Sequence, residues 1–450
     1  MPVQPRTPPG VLELLPAQQI AFQRMLDTIR GNFERFGFVP IETPAFEVTD
    51  VLLTKSGGET EKQVYFVQST GALEQGTAQA ARRKPELALR FDLTVPLARY
   101  VAQHEHELNF PFRRYQIQRV YRGERAQKGR YREFYQCDID VIGKDTLPLA
   151  YDAEVPAIIH GIFSQLAFGP FTIYINNRKL LRGLLESLGI PAERHADVLH
   201  EVDRLGKQER AEIEPKVAAL ASAEAATQLF DVLAASSLEA LRAFQPANAN
   251  FTEGLRELET VYAGTLALGV PASALKINLS IARGLDYYTG TVYETFLTDH
   301  PRLGSICSGG RYADLASHYT KSKLPGVGIS IGVTRLFSQL LELGLIKSDV
   351  KTTAHALVLN VEAALNDDYL AIASELRDAG LNTEVYGGDD KLGKQMKYAD
   401  RAGVPVAILY GSRERDAGQI KLKILRENRE VDVPRGELVA TVRSLVGPTR

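Results

Sequence analysis

The sequence predicts an α+β protein, with an antiparallel-sheet core, an all-helical insertion and a separate C-terminal α/β domain. Two segments, 112–122 and 133–142, alternate in side-chain character, which is typical of antiparallel strands. From about 190 to 272 Ala, Leu and Glu dominate and strand signals disappear, which favours helices. Toward the C-terminus strand and helix patterns alternate, which indicates a small α/β domain. We therefore expect a core domain over 1–350 and a second domain over 355–450.

The first elements of the core follow from hydrophobic spacing and from proline. Apolar residues from Phe22 to Phe36 recur at intervals of three and four, which predicts a helix over 17–36. In FGFVPIETPAFE (36–47), Pro44 limits a strand-like segment to an edge or boundary position. The later core elements are expected as strands at 63–68, 87–91, 276–282, 291–298 and 304–308, a helix at 94–105, a helix beginning at Gly309, and a strand running into a helix over 327–344.

The second domain is expected to begin after a linker at 345–354. Beyond it, apolar runs alternate with helical patterns, as in a strand–helix repeat. Its strands are predicted at 356–361, 382–386, 404–411 and 419–425, and its helices near 366–379, 391–402 and 435–446.

Length, charge and cysteine content exclude several classes of protein. The 450 residues are 44% hydrophobic and 24% charged, which excludes disordered, collagen-like and coiled-coil chains. With 53 basic and 55 acidic residues the chain is not grossly basic, although a local basic strip could still bind nucleic acid. Two cysteines cannot form a disulfide framework or a four-ligand zinc site. No apolar run reaches the roughly 20 residues of a membrane helix and no export signal is evident, so we expect a cytoplasmic protein without membrane contact.

The segment YRGERAQKGRYREFYQCDID (121–140) carries the strongest chemical signal. Arg122 and Glu124 lie two apart at the end of a predicted strand, so they share a face. Arginines such as Arg130 bind phosphate oxygens and the ring of Phe134 can stack on a base, a combination that suits a nucleotide. The alternative is a solvated basic hairpin. Because neither GxxxxGK[ST] nor GxGxxG occurs, any ATP is expected to lie on the antiparallel sheet and not in a glycine-rich loop.

Two segments combine aromatic residues or glycines with polar side chains. ARGLDYYTGTVYE (282–294) places Arg283 near Tyr287 and Tyr288, and these three could line a pocket or belong to an aromatic core. In CSGGRYADL (307–315) two glycines permit close approach of the backbone to a ligand.

Two other segments place charged groups beside apolar ones. In GVGISIGVTRLF (326–337) Arg335 lies in apolar surroundings and needs a partner, which a phosphate would supply. In ALRFDLTVPLARY (88–100) Asp92 and Thr94 lie two apart on one strand face, where they could hold an ammonium group. The alternative is that Asp92 or Thr94 caps the N-terminus of a helix.

Taken in this order, the motifs resemble those of class II aminoacyl-tRNA synthetases and, within that class, the histidyl-tRNA synthetase family. FGFVPIETPAFE is similar to motif 1, YRGER…GRYREF to motif 2, and GISIGVTRL, with Arg335, to motif 3. The segments at 282–294 and 307–315 resemble the histidine-specific signatures. The chain departs from the family pattern at RFDLT (90–94), where Arg-Pro-Glu-Gly-Thr is frequent, and at Ala126, where proline is common.

The resemblance implies an antiparallel-sheet class II catalytic core, a C-terminal anticodon-binding domain and the activity of a histidine–tRNA ligase. L-Histidine and ATP would give histidyl-adenylate and pyrophosphate, and histidine would then pass to the 3′ end of tRNA(His). The helical insertion would clamp the acceptor arm of the tRNA. Mg²⁺ would accompany ATP, and motif 1 would form a homodimer. No zinc is expected, because His104 and His106 are too few ligands.

The resemblance also implies roles for individual residues. Arg122 and Arg283 would be the catalytic residues at the α-phosphate. The ATP-binding residues would be Arg122, Glu124, Arg130, Phe134 and Arg335. The histidine-binding residues would be Asp92, Thr94 and Gln136 at the α-ammonium, Asp140 and Tyr288 at the two imidazole nitrogens, and Arg283, Tyr287 and Tyr312. The tRNA-binding residues would be Arg125 and Gln127 in the motif 2 loop, and Lys391, Lys394, Lys397 and Arg401 along one helix face.

Two alternatives stay open at this point. A catalytically silent paralogue that regulates histidine biosynthesis would lack the C-terminal domain and often lose motif residues, whereas this chain keeps both. Another class II synthetase, such as a prolyl or threonyl enzyme, is disfavoured by the segments at 282–294 and 307–315. ATP–pyrophosphate exchange with each amino acid in turn would separate the three functions.

Overall fold

A computed structural model describes the chain in two compact units. The described residues are 3–53, 63–70, 85–125, 129–205, 208–244, 246–281, 288–313 and 316–447. The first unit consists of Met1–Glu13 and Met25–Ile346, and the second of Leu14–Arg24 and Lys347–Arg450. The division near residue 346 falls inside the segment predicted as a linker.

The first unit is built on a mainly antiparallel sheet of eight strands. The described strands of this unit, in the large sheet and in a smaller one, are β1 (Val39–Pro40), β2 (Phe46–Val48), β3 (Tyr65–Val67), β4 (Leu87–Leu89), β5 (Phe112–Tyr121), β6 (Glu133–Ile142), β7 (Phe171–Asn177), β8 (Leu275–Ile277), β9 (Thr291–Leu297), β10 (Cys307–Tyr312) and β11 (Gly326–Ile331). The sheet order is β1-β5-β6-β11-β10-β9-β7-β8, with parallel pairs at the two ends and antiparallel pairs between them. β2, β4 and β3 form a separate antiparallel sheet.

Helices accompany these strands, and the first of them begins among the residues of the second unit and ends among those of the first. They are α1 (Pro16–Arg35), α2 (Thr49–Leu53), α3 (Thr94–Gln103), α4 (Ala150–Leu166), α5 (Arg178–Ser187), α6 (His195–Val202), α7 (Arg210–Leu220), α8 (Ala223–Ala234), α9 (Leu238–Phe244), α10 (Ala249–Ala267) and α11 (Val333–Glu342), with 3₁₀ turns at Ala192–Arg194 and Pro301–Leu303. α6 to α10 follow one another in the range predicted as helical. Polar caps fix two of their starts, since Ser222 accepts a hydrogen bond from the Ala225 N–H and Asn248 from the Phe251 N–H.

One face of the eight-stranded sheet is polar, and the pairing register shows how its side chains align. A row across β5, β6, β11 and β10 contains Arg114, Asp140, Gly328 and Gly310, and the next row contains Gln116, Asp138, Ser330 and Ser308. Paired residues project to the same side and alternate residues to the other, so Ile139 and Ile329 are buried on the opposite face. The sheet therefore presents charged and amide groups on one side and packs apolar groups on the other.

The second unit is an α/β sandwich around a five-stranded sheet. Its strands are β12 (Ala356–Val358), β13 (Thr383–Val385), β14 (Val406–Leu409), β15 (Gln419–Ile424) and β16 (Arg429–Pro434), in the order β13-β12-β14-β15-β16. Its helices are α12 (Asn366–Asp378), α13 (Leu392–Ala402), α14 (Ser412–Asp416) and α15 (Leu438–Val446), with 3₁₀ turns at Ala363–Leu365 and Arg435–Glu437. Val358 packs with Ile372 of α12 and Val442 of α15, whereas Leu357 packs with Ala399 of α13. Helices thus cover both faces of the sheet.

Two features differ from the sequence-based expectation. The helix predicted to begin at Gly309 is wrong, because this residue belongs to β10, which is hydrogen-bonded to β9 on one side and β11 on the other. Strand β16 was not predicted, because its side chains are mostly exposed and its polar–apolar alternation covers only a few residues. Both errors arise where pairing with neighbouring strands, and not local pattern, determines the conformation.

Among the helices that the structure describes, not one is long and apolar enough to cross a bilayer.

Candidate active site

Two adjoining cavities lie on the polar face of the eight-stranded sheet. The larger has a volume of about 460 Å³, and its lining includes Arg122, Glu124, Arg130, Phe134, Gln136 and Arg335. The smaller has a volume of about 30 Å³, and its lining includes Thr94, Asp138, Asp140, Tyr288 and Tyr312. Ser330 lines both cavities, so the two are neighbours across one residue of β11. The structure thus brings together most of the residues that the motifs predict as one site.

The larger cavity combines cations with an aromatic ring. The Arg122 Nε donates a hydrogen bond to the Phe91 carbonyl at 3.1 Å, and the Arg122 guanidinium carbon lies 5.1 Å from the Phe134 ring centroid. Arg130 forms a 2.8 Å ion pair with Glu124. Because guanidinium groups bind phosphate oxygens and aromatic faces stack on bases, the lining matches a nucleotide in charge and in shape.

Arg335 reaches this cavity from the first turn of α11. The expectation that it lies in apolar surroundings is wrong, because its side chain is exposed and its Nη2 donates to the Leu303 carbonyl at 2.7 Å. The strand-to-helix turn at Gly332 lets α11 bury Val333 and Leu336 while Arg335 projects outward. The cation therefore lies at the solvent-facing side of the cavity lining.

The smaller cavity is dominated by a buried carboxylate. Asp140 accepts hydrogen bonds from Arg114 Nη2 and, at 2.9 Å, from the Tyr312 hydroxyl. Burial raises the pKa of Asp140, while Arg114 and Tyr312 act in the opposite direction. Burial, together with Asp140 and Asp138, raises the pKa of the Tyr288 phenol, which therefore keeps its proton and can donate it to an acceptor. An acceptor and a donor thus face the same small space.

Glycines in the sheet make room for these side chains. A Cβ on Gly328 would lie 2.2 Å from Asp140 Oδ1, and a Cβ on Gly310 would lie 2.8 Å from the ring of Tyr288. The sequence predicted that Gly309 and Gly310 allow approach to a ligand. In the structure they allow the approach of protein groups that line the site.

A group of buried polar atoms around the cavities has no hydrogen-bond partner among the described residues. These atoms are Arg114 Nε and Nη1, Gln116 Oε1, Gln136 Oε1 and Asp138 Oδ1. They are donors and acceptors on one sheet face, and leaving such groups unpaired costs about 1–3 kcal/mol each. A polar ligand with both signs of charge would satisfy them.

Three of these residues, Arg114, Gln116 and Asp138, were not predicted as site residues. The signal was present, because the same period-two alternation that places Gln136 and Asp140 on one face also includes Asp138. Burial raises the pKa of Asp138 to about 7, against the lowering effects of Arg114 and a hydrogen bond from Ser330.

Asp92 and Thr94 lie at the start of α3 and not on a strand face. Asp92 Oδ1 accepts a 3.2 Å hydrogen bond from the Val95 N–H, as in the alternative of a helix N-terminus. Burial raises the pKa of Asp92 to about 6, and its bond from Val95 and the charges of Arg122 and Arg114 oppose this shift. Thr94 lines the smaller cavity.

The remaining predicted residues are not among the described lining of the two cavities. Arg283, Tyr287 and Gln127 are outside the described residues. Arg125 is exposed at the end of the described part of the motif 2 loop. Lys391 immediately precedes α13, and Lys394, Lys397 and Arg401 are exposed along that helix, with Lys394 paired to Asp390 at 2.7 Å. In the described ranges no group of three or more His, Cys, Asp or Glu side chains is arranged to hold a metal ion.

Comparison with known proteins gives matches along nearly the whole chain. The family model described as Histidyl-tRNA synthetase matches residues 10–336, and the model described as Anticodon binding domain matches residues 355–445. The histidine–tRNA ligase of Xanthomonas campestris pv. campestris (strain 8004) is 57% identical over 98% of this chain and 96% of its own length. That of Xylella fastidiosa (strain M23) is 56% identical and covers 98% of each chain.

A solved structure has the same architecture. The crystal structure of histidyl-tRNA synthetase from Nostoc sp. PCC 7120 matches with a TM-score of 0.90 and 39% identity, covering 98% of this chain and 100% of that one. The predicted fold class, an α+β catalytic core with a helical region and a C-terminal α/β anticodon-binding domain, is confirmed. The resemblance of the sequence motifs to those of histidyl-tRNA synthetases is confirmed as well, and the chain belongs to the histidyl-tRNA synthetase family.

Proposed function

We propose that the protein is a histidine–tRNA ligase that makes histidyl-adenylate from L-histidine and ATP and transfers histidine to the 3′ end of tRNA(His). The observation that carries the proposal is the pair of adjoining cavities. One is lined by arginines and an aromatic ring, the other by Asp140 and Tyr288, and Ser330 joins them. A nucleotide in the first and an imidazole side chain in the second would place the amino-acid carboxylate beside the α-phosphate.

The test is histidine-dependent exchange of pyrophosphate into ATP, measured with each of the twenty amino acids and followed by aminoacylation of tRNA(His). We expect exchange with histidine alone. Exchange with no amino acid would contradict the proposal and favour the regulatory paralogue, and exchange with another amino acid would favour a sister enzyme.

The first reaction needs no protein nucleophile. A carboxylate oxygen of histidine bonds to the α-phosphorus, the bond from that phosphorus to the bridging oxygen breaks, and pyrophosphate leaves. Negative charge builds up on the phosphoryl oxygens, and Arg122 at the cavity wall is placed to stabilise it. Arg130 and Arg335 would hold the far end of the triphosphate, Glu124 would accept from the adenine amino group, and Phe134 would stack under the ring. Arg283 is proposed as a second cation at the α-phosphate.

In the second reaction, a terminal ribose hydroxyl of the tRNA attacks the carbonyl carbon of histidyl-adenylate and AMP leaves.

Mg²⁺ is proposed to enter with ATP as part of the substrate complex. Within the larger cavity the one acidic side chain among the described lining residues is Glu124, which is already paired with Arg130. A lining with so few free carboxylates suits an Mg²⁺ ion that is bound mainly by the triphosphate better than one bound by several protein side chains. We expect the reaction to take place in the cytoplasm, where charged tRNA is used.

Recognition of the imidazole ring is assigned to Asp140 and Tyr288. Each carboxylate oxygen can accept more than one hydrogen bond, so Asp140 can accept from a ring N–H while it holds Arg114 and Tyr312. The protonated Tyr288 phenol can donate to the other ring nitrogen. A site with these buried polar groups rejects amino acids that leave them unpaired, by about 10⁴-fold or more.

The exposed cations of α13 support a tRNA-binding surface in the second unit. Lys397 and Arg401 lie one turn apart on one helix face, and the neighbouring residue Tyr398 is 41% exposed. Cations on such a face bind backbone phosphates and an exposed ring can stack on a base. We propose that this surface binds the anticodon arm.

Reversing the two charges in the variant K397E/R401E should raise KM for tRNA(His) on the order of tenfold, because two phosphate contacts are replaced by repulsion. The dependence of KM on salt should also weaken, by about one in the log–log slope for each lost contact. ATP–pyrophosphate exchange should not change. The control is R443E, on the exposed side of α15. Equal effects of both variants on KM would contradict the proposed surface.

Exposed apolar side chains support a homodimer through motif 1. Val39 on the edge strand β1 is 49% exposed, and Phe46, on β2 of the small sheet, is 52% exposed. Val48, Phe66 and Leu87 of the same small sheet are also exposed. Apolar groups concentrated near an edge strand mark a surface that another chain can cover.

The variant F46E should shift the protein toward monomer, because a carboxylate in a covered apolar interface has no partner. Sedimentation equilibrium over a range of concentrations measures this shift. The matched control is L268E, since Leu268 is 49% exposed at the end of α10. A wild-type protein that sediments as a monomer, or an F46E variant as dimeric as L268E, would refute the dimer surface.

A further inference from the structure

We infer that Asp138 is a specificity-determining residue of the amino-acid site and that its carboxylate binds the α-ammonium group of histidine. The inference rests on the proposed function and adds to the site a residue that the motifs do not include. It depends on the position of Asp138 in the lining of the smaller cavity, on its oxygen that has no hydrogen-bond partner among the described residues, and on the bonds that both oxygens of Asp140 already make.

Position gives the first argument. On one face of β6, Gln136 lines the larger cavity, Asp140 lines the smaller one, and Asp138 lies between them. Alternate strand residues are about 7 Å apart, so this row is about 13 Å long. Histidine must reach the α-phosphate with its carboxylate and place its ring against Asp140 and Tyr288. Its α-carbon, which carries the ammonium group, therefore lies at the level of Asp138.

Hydrogen bonding gives the second argument. Asp138 is 3% exposed, and its Oδ1 has no partner among the described residues. Gln136 Nε2 donates to the Ser330 hydroxyl at 2.8 Å, and Ser330 in turn donates to Asp138. This chain of bonds orients the Asp138 carboxylate, and the residue belongs to the lining of the smaller cavity. A buried carboxylate oxygen with no donor is costly in the empty protein, and an incoming ammonium group would remove that cost.

The neighbouring carboxylates give the third argument. Asp140 holds Arg114 with one oxygen and Tyr312 with the other, and it faces the ring end of the site. Asp92 accepts the Val95 N–H at the start of α3. Of the two carboxylates in the described lining of the smaller cavity, Asp138 is the one with an oxygen that has no hydrogen-bond partner among the described residues. A substrate ammonium group would give this oxygen a donor.

The test compares two ligands that differ only in the ammonium group. Histidinol carries ring, ammonium and hydroxymethyl groups, and 3-(imidazol-4-yl)propan-1-ol lacks only the ammonium. Calorimetry gives Kd for both ligands with the full-length wild type and the isosteric variant D138N. We expect D138N to weaken histidinol binding by about tenfold or more, the size of a hydrogen bond to a charged group, and to leave binding of the second ligand unchanged.

Controls separate this role from a structural one. E294Q changes another buried carboxyl group of the same sheet face, three strands away, and should leave the ratio of the two Kd values unchanged. S330A should change the ratio of the two Kd values less than D138N does, because it removes the Ser330 hydrogen bond to Asp138 but keeps the Asp138 carboxylate. D138N should unfold at the same temperature as the wild type or higher, since the replaced oxygen has no partner.

Two results would overturn the inference. One is an equal loss of both ligands in D138N, which would assign Asp138 to the ring or to the fold. The other is an unchanged ratio, which would leave the ammonium to Asp92. A wild type that binds neither ligand and shows no histidine-dependent exchange would instead remove the proposed function, so the two failures are distinguishable.

Discussion

Replacing Arg122 by alanine should lower kcat for histidine-dependent ATP–pyrophosphate exchange by about 10³-fold, the usual cost of removing a cation or donor that stabilises transition-state charge. Arg122 lines the larger cavity and is held by two contacts, the Phe91 carbonyl and the Phe134 ring. A guanidinium fixed in this way is already oriented when the phosphate charge develops. Initial exchange rates over a range of ATP and histidine concentrations separate the loss in kcat from changes in KM.

Arg119, near the end of β5 and three residues before Arg122, provides a closely matched control. Its guanidinium carbon lies 5.1 Å from the Tyr135 ring, which equals the Arg122–Phe134 distance, and it pairs with Glu133. Arg119 does not belong to the described lining of either cavity. R119A should therefore keep exchange within a few fold of the wild type. If R119A lowers kcat as much as R122A does, the loss in R122A would reflect a general disturbance near the end of β5 and not the removal of a cation from the cavity.

The variant G328A should raise KM for histidine by about 100-fold, near the upper end of what overpacking costs. The added Cβ would lie 2.2 Å from Asp140 Oδ1 and 2.4 Å from the Ile139 carbonyl oxygen. Neither the Asp140 carboxylate, which is held by Arg114 and Tyr312, nor the Ile139 backbone can move away without losing bonds. The displacement falls on the smaller cavity, so KM for ATP should change much less than KM for histidine.

A glycine outside the site controls for the substitution itself. A Cβ on Gly31, within α1, meets no atom within 4 Å, so G31A should leave both KM values unchanged. Thermal unfolding of G328A distinguishes a local change from a loss of the fold. A folded G328A with wild-type KM for histidine would show that Asp140 does not bind the substrate, because its carboxylate cannot stay in place beside the new methyl group.

Local patterns predicted the elements that present the site. Alternation along 112–122 and 133–142 gave β5 and β6, and it placed Gln136 and Asp140 on one face before any pairing was known. The residues that the motifs predict to bind the nucleotide all line one cavity in the structure. Such features depend on neighbours in sequence, and periodicity reports them directly.

Other features depend on partners that are distant along the chain. Gly309 has the sequence context of a helix start, yet it forms a strand because β9 and β11 satisfy its backbone. Arg335 looked buried in an apolar run, yet the orientation of α11 exposes it and Leu303 supplies its acceptor. Asp138 was overlooked because an acidic residue in a strand is conspicuous only when its surroundings leave one oxygen without a donor.

The sequence by itself determined the family, the reaction and most of the chemical groups that we propose carry it, since these follow from residue types in a fixed order along one chain. The tertiary structure alone decided which of those groups are already satisfied. Asp140 is held by Arg114, which is 26 residues away, and by Tyr312, which is 172 residues away, whereas Asp138 has an oxygen with no hydrogen-bond partner among the described residues. The physical reason is that hydrogen bonding and desolvation depend on where side chains meet in space, and spacing along the chain does not contain that information.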